Sequence, residues 1–465
     1  MSSLIIRNLM AAATVNDSDE VLFNVDILIR ENRIEKIGSG LTDEVEKIID
    51  GSHMVAIPGM VNTHHHLYQT MFRNVPRVQD AKLFNWLINL YQGWRHITPE
   101  TEYWASATGI GELLLSGCTL ISDHHYLFPS KYGEEIIHAE IEAAEKLGAR
   151  FFPTRGSMSR GVSRGGLPPD DVVQSEEYIL KASEEFITRF HDTSDGSMLR
   201  VALAPCSPFS VTPELLKESA RLARKHSVML HTHLAETSDE DDYCISTLGM
   251  RPLEFMESVD WIGEDVWYAH GIWFNEDEIK RLGETRTGVA HCPTSNLRLG
   301  SGIAPIPDLI KAGARVGLGV DGSASNDSSD MLSEARLALF VHRIGKYGVT
   351  ATNALSTLKL ATRGGAEILG WDNEIGQLKP GFLADIAIFD MNDISYAGGL
   401  HDPIAALLFN NSRKRAHTVI VNGKIVVENG HLINIPEEEI VAKQNFLASD
   451  IIERAKSDIN LLTRD

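Results

Sequence analysis

Cysteine is scarce in this sequence of 465 residues, which has only four, at widely separated positions. No two of them form a CxxC pair, and their spacing suggests no disulfide framework. We therefore expect reduced thiols in a cytoplasmic protein, because disulfides persist mainly outside the cytosol. The four residues are Cys118, Cys206, Cys244 and Cys292.

Basic residues and long apolar runs are also few. Lys and Arg together number 43 against 64 Asp and Glu, so the formal net charge is −21. Phosphate attracts Lys and Arg, and this balance argues against general binding to nucleic acid or to an anionic membrane.

No apolar run approaches the ~18 residues that a transmembrane helix needs. The N-terminal segment also lacks the basic start and long apolar stretch of a signal peptide.

The composition is otherwise that of an ordinary globular protein. Hydrophobic residues make up 43% of the chain and charged residues 23%. These proportions exclude a disordered or fibrous chain. The length allows a large buried core, and one large domain with a smaller one suits it.

The two ends of the chain carry short apolar runs separated by turn residues. Residues 1–57 contain SLIIRNL, VLFNVDILIRENRIEKIG and EKIIDGSHMVAIPG, which predict a small antiparallel sheet. Residues 375–435 repeat the pattern in GFLADIAIFD and VIVNGKIVV, where Asn-Gly is a strong hairpin signal. We expect both ends to form one composite β-sandwich domain, followed by a polar surface helix in residues 436–465.

The middle of the chain, residues 58–374, alternates apolar runs with amphipathic helical segments such as GEEIIHAEIEAAEKLGA. Eight strand–helix units predict an α/β fold, a (β/α)8 barrel of the TIM type, inserted in the β domain. In such barrels the active site lies at the carboxyl ends of the strands. The eight runs are MVNTHHH, TLISDHH, ARFFPTRGS, RVALAPCS, VMLHTHLAE, VWYAHGI, TGVAHCPTS and RVGLGVDGS.

Polar side chains at the ends of these runs predict a metal site. His64 and His66 end the first run, and residues i and i+2 of a strand face the same side. The fifth run supplies His231 or His233, and the eighth ends at Asp321. Three imidazoles and a carboxylate would suit a catalytic zinc-like site with one position left for water. The pattern alone leaves open which of His231 and His233 is the ligand.

Several segments resemble those of the amidohydrolase superfamily, specifically its deaminase-like members. The resemblance covers nearly the whole chain through PGMVNTHHHLYQT (58–70), HTHLAET (231–237), AH (269–270), HCPTSN (291–296) and GVDGSASND (319–327). The resemblance is narrowed to one subgroup by four further segments: FRNVPRVQDAKLFNWL, TRGSMSRG, GGLPPD and LRLGSGIAP. They are similar to the subgroup that contains 8-oxoguanine deaminase, isoxanthopterin deaminase and hydroxyatrazine ethylaminohydrolase.

The resemblance implies one divalent metal ion, with zinc as the first candidate and iron as the second, held by His64, His66, His233 and Asp321. It also implies that Glu236 shuttles protons, that His270 polarises the water or the tetrahedral intermediate, and that Asp321 accepts a proton. The fourth run, RVALAPCS, lacks the Lys that binuclear relatives carry. Barrels of this family often associate, so a homo-oligomer is expected.

Three further residues are candidate substrate contacts. Arg155 ends the third run, where a guanidinium suits a carbonyl or an anionic ring edge; pairing with a neighbouring carboxylate is the alternative. Gln69 follows His66 by three residues, where its amide suits the edge of a heterocycle. His125 is chosen from the end of the second run, 124–126, with ordinary packing as the alternative.

Two other groups of residues are assigned to structure. The helical stretch that contains Trp86, Tyr91 and Trp94 favours core packing over a lid that stacks on the substrate. His138 and Glu140 resemble the His-x-Glu of cytidine-type deaminases, but that pattern also needs Pro-Cys-x-x-Cys, which is absent. We therefore expect these two residues to lie on a helix in contact with solvent.

These features predict a metal-dependent hydrolase of C–N bonds, a deaminase of an oxidised purine-like heterocycle. 8-Oxoguanine, converted to urate and ammonia, is the first candidate; isoxanthopterin or another pterin and a hydroxylated s-triazine are the alternatives. Hydrolysis of a cyclic amide is disfavoured by Glu236, by His270 and by the missing Lys. A purely structural metal site is also disfavoured, because structural zinc sites usually use closely spaced Cys and His.

Overall fold

The computed structural model describes residues 3–410 and 415–464, and these form seventeen strands and sixteen α-helices. The strands are β1 (Ser3–Ala13), β2 (Val21–Arg30), β3 (Arg33–Gly38), β4 (Lys47–Asp50), β5 (Met54–Pro58), β6 (Met60–Asn62), β7 (Cys118–His125), β8 (Arg150–Ser157), β9 (Ala202–Pro205), β10 (Met229–Leu234), β11 (Val266–His270), β12 (Gly288–His291), β13 (Arg315–Leu318), β14 (Ile386–Asp390), β15 (Thr418–Val421), β16 (Lys424–Glu428) and β17 (His431–Leu432).

The helices lie mainly between the strands of the middle region. They are α1 (Leu83–Trp94), α2 (Pro99–Leu115), α3 (Glu135–Leu147), α4 (Glu176–Phe190), α5 (Pro213–Lys225), α6 (Ser238–Leu248), α7 (Pro252–Ser258), α8 (Glu276–Glu284), α9 (Pro293–Arg298), α10 (Ile306–Ala312), α11 (Ser323–Asn326), α12 (Met331–Val341), α13 (Ala354–Lys359), α14 (Gly365–Ile368), α15 (Pro403–Phe409) and α16 (Glu437–Ala455).

Strands from both ends of the chain form one sheet. Their order is β17-β16-β15-β14-β5-β1-β2-β3, and β4 also pairs with β1. The antiparallel pairing of β5 with β14 joins the N-terminal and C-terminal segments, which confirms the composite β domain. The sheet is mixed, because β1 pairs in parallel with β4 and β5. The purely antiparallel expectation was wrong here, since the chain crosses over after β3 and returns along the other edge of β1.

The middle of the chain forms the expected barrel. Strands β6 to β13 pair in parallel and in sequence order. The backbone N–H of Thr63 donates to the carbonyl of Leu318 at 2.9 Å, which joins the first strand to the last. All eight residues of β7 and of β8 are buried, as in a barrel covered by helices. The eight apolar runs of the sequence are these eight strands, so the (β/α)8 prediction is confirmed.

The C-terminal helix α16 is not wholly a surface element. Leu447 and Ile451 on one face are buried in a hydrophobic cluster together with Leu90 and Trp94. The side-chain amide of Gln444 also donates to Thr70 Oγ1 at 3.2 Å. The helix therefore packs against the segments at the barrel mouth.

Within the described residues, no helix is both long enough and apolar enough to cross a bilayer. The four cysteines are buried and free. The domain limits placed at 57, 374 and 435 stay a prediction; residues 1, 2, 411–414 and 465 of those ranges lie outside the described part of the chain.

Candidate active site

Histidines from the carboxyl ends of the barrel strands turn the same ring nitrogen toward one point. His66 Nδ1 donates to the carbonyl of His124 at 2.7 Å, and His233 Nδ1 donates to the carbonyl of Cys206 at 2.6 Å. A carbonyl only accepts, so Nδ1 carries the proton in both rings and Nε2 carries a lone pair. These two Nε2 atoms lie 3.0 Å apart.

The position of His231 shows which of the two histidines of β10, His231 or His233, faces the site. Its Nδ1 donates to the carbonyl of Trp267 at 2.9 Å, and its Nε2 lies 2.8 Å from His64 Nδ1. His231 Nε2 must then accept the proton of His64 Nδ1, which frees Nε2 of His64. His231 thus stands behind His64 and orients it, while His233 faces the site.

The converging atoms fit a divalent cation. Potential ligand atoms of His64, His66, His124 and His233 all lie within 4.8 Å of one another, and so do those of His64, His270 and Asp321. Two lone pairs at 3.0 Å repel each other unless a positive charge lies beside them. His64 Nε2 is buried and has no hydrogen-bond partner among the described residues. Imidazole and carboxylate ligands suit zinc and iron.

The imidazoles are held in the form that binds metals. Burial lowers the pKa of His64 and His233 well below the usual range, and it also lowers the pKa of His66. Neutral imidazole is the ligand form of histidine, so no proton has to leave before an ion binds.

Asp321 supplies the carboxylate of the group. Its Oδ1 lies 3.3 Å from His64 Nε2 and 3.4 Å from His66 Nε2. Burial acts to raise the pKa of Asp321, but the neighbouring imidazoles of His64, His270 and His66 hold it well below the usual range. Ser325 donates to Oδ2 at 3.3 Å, and the backbone N–H of Gly322 donates to Oδ1 at 2.6 Å.

Glu236 and His270 face each other beside this group. Glu236 Oε2 lies 3.7 Å from His270 Nε2, and Asn296 Oδ1 accepts from His270 Nδ1 at 2.9 Å. Burial raises the pKa of Glu236 to about 7. A carboxyl group with a pKa near neutrality exchanges protons readily in both directions, as a proton shuttle must.

Three residues of the site hold strained backbone conformations. Ala235, His270 and Asp321 have φ values of 53°, 75° and 62°, in the left-handed region that residues with a side chain rarely adopt. Each such position costs of order 1–3 kcal/mol, and such positions cluster at functional sites. The turns that follow β10, β11 and β13 are therefore shaped to aim these side chains.

A cavity opens above the converging residues. It contains about 440 Å³ of space between atoms, part of which is open to solvent. Its wall includes the polar residues of the site together with apolar and aromatic side chains, namely Leu83, Trp86, Leu87, Tyr91, Tyr126, Phe209 and Leu299. A flat aromatic molecule with a few polar edges would suit this lining.

Gln69 lies on the cavity wall, where the sequence placed a substrate contact. It belongs to a short 3-10 helix, Leu67–Phe72, that follows the first barrel strand. Its Nε2 is 3.5 Å from the hydroxyl of Tyr68, while its buried Oε1 has no partner within the described residues. An unpaired buried carbonyl can accept a hydrogen bond from a ligand N–H, so the geometry supports this candidate.

Arg155 and His125 do not line this cavity in the described structure. Arg155 is buried and donates to Glu134 at 2.6 Å and to Gln174 at 2.7 Å, which is the pairing that the sequence offered as its alternative. His125 points away from the barrel mouth, toward Glu102 and Glu140. Their proposed contact with the substrate finds no support in this arrangement.

Some residues of the site were not chosen from the sequence. Tyr126 lines the cavity where His125 was expected, and the period-two alternation of a strand would have separated these neighbours. Ser207 and Ser325 line it too. Asn296 orients His270 and lies in the recognised segment HCPTSN. Trp86 and Tyr91 both line the cavity and pack in the core, so the two alternatives for them are compatible.

Comparisons with known proteins agree with this picture. The model of the amidohydrolase family matches residues 55–426. An 8-oxoguanine deaminase of Pseudomonas aeruginosa is 46% identical over 455 residues, covering 97% of this chain and 100% of the relative. An isoxanthopterin deaminase of an unknown prokaryotic organism is 35% identical over 471 residues, 97% of each chain. The crystal structure of an atrazine chlorohydrolase from Arthrobacter aurescens complexed with zinc has a TM-score of 0.91 and 34% identity, covering 96% of this chain and 100% of that one.

Proposed function

This chain belongs to the amidohydrolase family, and we propose that it is a metal-dependent deaminase of an oxidised purine-like heterocycle. 8-Oxoguanine is the first candidate substrate, with urate and ammonia as the products. The observation that carries the proposal is the group of imidazole nitrogens that converges on Asp321 beside Glu236, under an aromatic cavity. The relative with 46% identity, named as an 8-oxoguanine deaminase, supports the substrate.

The proposal assigns one divalent ion to the converging residues. His64, His66, His233 and Asp321 would hold it, and zinc is the first choice because the related chlorohydrolase was crystallised with zinc. A divalent ion held there would lower the pKa of a water molecule to about 7, so that the water could act as a nucleophile at neutral pH.

The side chains of this protein carry the protons of the reaction. Glu236 accepts the first proton of the attacking water and delivers it to the ring nitrogen next to the reacting carbon. Asp321 accepts the second proton and returns it to the departing amine. One water and one exocyclic amine thus become a ring carbonyl and ammonia, with no net gain or loss of protons. Proton transfers of this kind contribute on the order of 10²–10⁴-fold each.

Other residues would position the reactants. His270 orients the water through Nε2, because its Nδ1 is engaged by Asn296. Gln69 Oε1 accepts a hydrogen bond from an N–H of the heterocycle, and the rings of Trp86 and Tyr126 face the flat ring system. An oxidised purine presents such N–H groups along its edge.

A pterin is the second candidate, because the isoxanthopterin deaminase covers 97% of this chain at 35% identity. A hydroxylated s-triazine is the third, since the structurally similar enzyme acts on atrazine. A cytoplasmic location and a homo-oligomeric assembly complete the proposal, and light scattering after size exclusion would test the assembly.

Ammonia release tests the proposal. Metal-analysed protein is incubated separately with 8-oxoguanine, guanine, isoxanthopterin, cytosine and hydroxyatrazine, and released ethylamine is measured as well. We expect the fastest ammonia release with 8-oxoguanine, together with the formation of urate. Turnover of isoxanthopterin alone would identify the protein as a pterin deaminase. Release of ethylamine from hydroxyatrazine alone would identify it as a triazine hydrolase. No turnover of any compound by metal-loaded protein would overturn the proposal.

A further inference from the structure

A second group of titratable residues lies behind the barrel strand β7. We call it the inner cluster; it consists of Glu102 on α2, Asp123 and His125 on β7, and Glu140 on α3. Each of the four is 0% exposed. The expectation that Glu140 contacts solvent was therefore wrong, because its face of α3 packs against the barrel; His138, two residues earlier, is partly buried.

The inner cluster contains many polar atoms without a hydrogen-bond partner. Within the described residues these are Glu102 Oε2, Asp123 Oδ2, His125 Nδ1 and both carboxylate oxygens of Glu140. The bonds that exist are few: Ser106 donates to Glu102 Oε1 at 3.1 Å, and the N–H of Leu67 donates to Asp123 Oδ1 at 2.6 Å. The carboxyl groups of Asp123 and Glu140 also lie within hydrogen-bond distance of each other, but a bond between them needs a proton on one of the two. Buried polar groups are normally paired, so five such atoms at one point require an explanation.

The imidazole of His125 directs the lone pair of its Nδ1 into the inner cluster. Its Nε2 donates to the carbonyl of Leu127 at 2.9 Å, so Nδ1 of the neutral ring is an acceptor. Nδ1 lies 3.5 Å from Glu140 Oε2 and 3.9 Å from Glu102 Oε1. An acceptor that faces two carboxylates without a hydrogen between them is repelled by both.

The distances match a bound ion better than hydrogen bonds. Direct N–H···O or O–H···N bonds span roughly 2.7–3.2 Å, which is shorter than either distance from His125 Nδ1. Two ligands at about 2.0–2.2 Å from a tetrahedral ion lie about 3.3–3.6 Å apart. The 3.5 Å between His125 Nδ1 and Glu140 Oε2 falls in this range, while the 3.9 Å between His125 Nδ1 and Glu102 Oε1 is slightly longer. Ligand atoms of Glu102, His125 and Glu140 all lie within 4.8 Å of one another.

The protein itself supplies no balancing charge. In ranges 3–410 and 415–464, no Lys or Arg lies within ion-pair distance of Glu102, Asp123 or Glu140. Burial raises the pKa of Glu102 and Glu140 well above the usual range and that of Asp123 to about 8. Uncompensated charge in such a place is very costly, so the carboxylates need either protons or a cation.

We propose that Glu102, His125 and Glu140 bind a second divalent metal ion, separate from the catalytic ion and structural in role. One imidazole and two carboxylates are ligands that zinc, iron and manganese all accept, and Asp123 or a water molecule completes the coordination. The ion ties α2 and α3 to β7. The same strand supplies the His124 carbonyl that orients His66, so the inner ion would brace the active site from behind.

Metal counting tests this proposal independently of turnover. Protein expressed with zinc and iron in the medium and purified without chelators is analysed by mass spectrometry for all metals. We expect about two ions per chain in the wild type and about one in Glu140→Gln, which keeps its shape but loses a ligand. The matched control is Glu278→Gln, which alters a buried carboxylate that pairs with Arg251 instead and should keep two.

The alternative is that protons alone satisfy the inner cluster. One ion per chain in the wild type, unchanged in Glu140→Gln, would then be found and would overturn the proposal. Anomalous diffraction from wild-type crystals at the zinc and iron edges decides the matter if the variant does not fold. A peak about 2.0–2.3 Å from His125 Nδ1 supports the second ion. A peak at the catalytic residues alone contradicts it. Neither result depends on which heterocycle the enzyme deaminates.

Discussion

At the scale of single residues, each histidine of the active site is oriented by the bond that its other ring nitrogen makes. The carbonyls of His124 and Cys206 hold His66 and His233, and His231 holds His64. Such outer partners fix the tautomer, so the metal-binding nitrogen is already aimed before an ion arrives. Among the described residues, the carboxylate of Glu236 has only His270 Nε2 nearby, at 3.7 Å, which leaves it free to exchange protons.

Replacement of Glu236 by Gln should separate catalysis from metal binding. Gln keeps the shape but cannot accept a proton, so we expect kcat to fall by about 10²–10⁴-fold. The metal content should stay at the wild-type value, because Glu236 is not among the expected ligands. Steady-state ammonia release and metal analysis measure both quantities, with Glu278→Gln as the control. Unchanged turnover would contradict the assigned role.

His342 should make stability depend on pH. Its Nε2 lies 3.0 Å from Nε2 of His291, and burial lowers the pKa of His342 from 6.5 to about 4. Between these values the unfolded chain binds a proton that the folded chain does not, so this stabilisation is complete above pH 6.5 and is lost as the pH falls toward 4. The full effect is at most about 3 kcal/mol.

The free energy of unfolding by urea, measured from pH 7.5 to 4.5, tests this prediction. On acidification, the free energy of unfolding should fall more steeply with pH in the wild type than in His342→Gln. The difference between the two slopes should correspond to at most one additional proton bound on unfolding. The two proteins should have parallel profiles above pH 7. Parallel profiles over the whole range would rule out His342 as a contributor.

At the scale of elements, the active site depends on close contact between two short helices. The helix Leu67–Phe72 carries Gln69, and α11 begins at Ser323, two residues after Asp321. Gly322 at this junction has an ordinary φ of −68°, but a Cβ there would lie 2.0 Å from Gln69 Oε1. The glycine is therefore required by the approach of Gln69 and not by its own backbone conformation.

Gly322→Ala should weaken substrate binding by displacing Gln69. The loss of one hydrogen bond of about 1.4 kcal/mol corresponds to a roughly tenfold higher KM. Gln69→Ala should raise KM by a similar factor, and the double variant should be little worse than either single one. Gly345→Ala is the control, because its nearest neighbour would lie at 3.7 Å. An unchanged KM in Gly322→Ala would refute the contact.

At the scale of the whole molecule, a buried ion pair joins the barrel to the mixed sheet. Arg150 begins β8, and Asp385 directly precedes β14. The guanidinium donates to both carboxylate oxygens of Asp385, at 2.9 and 3.0 Å, and both side chains are fully buried. The backbone N–H of Asn422 adds a third bond to this carboxylate at 2.8 Å.

Arg150→Met should destabilise the molecule by about 3–5 kcal/mol, because it leaves the charge of Asp385 buried and unpaired. Arg150→Met with Asp385→Asn should recover part of this loss, since no charge then remains. Thermal unfolding midpoints compare the variants. Arg224→Met, which breaks an exposed pair with Asp265, is the control and should cost about 1 kcal/mol or less. A wild-type midpoint in Arg150→Met would contradict a joining role.

The sequence by itself determined the barrel, the composite sheet and the face on which His64 and His66 lie. These features follow from local patterns: apolar runs that recur with helical segments between them, an Asn-Gly turn, and the two-residue period of a strand. Local patterns can be read from one segment at a time, without knowing what packs against it. The roles of the metal-site and catalytic residues came from resemblance and stay predictions.

Only the tertiary structure decided which residues face one another. It placed His231 behind His64 and paired Arg155 with Glu134. It also directed His125 away from the cavity, toward Glu102 and Glu140. Each of these choices depends on contact between different elements of the fold, and a buried side chain takes the partner that satisfies its charge or its hydrogen bonds. The sequence of a single segment does not indicate that partner, because the contact forms only when the barrel folds.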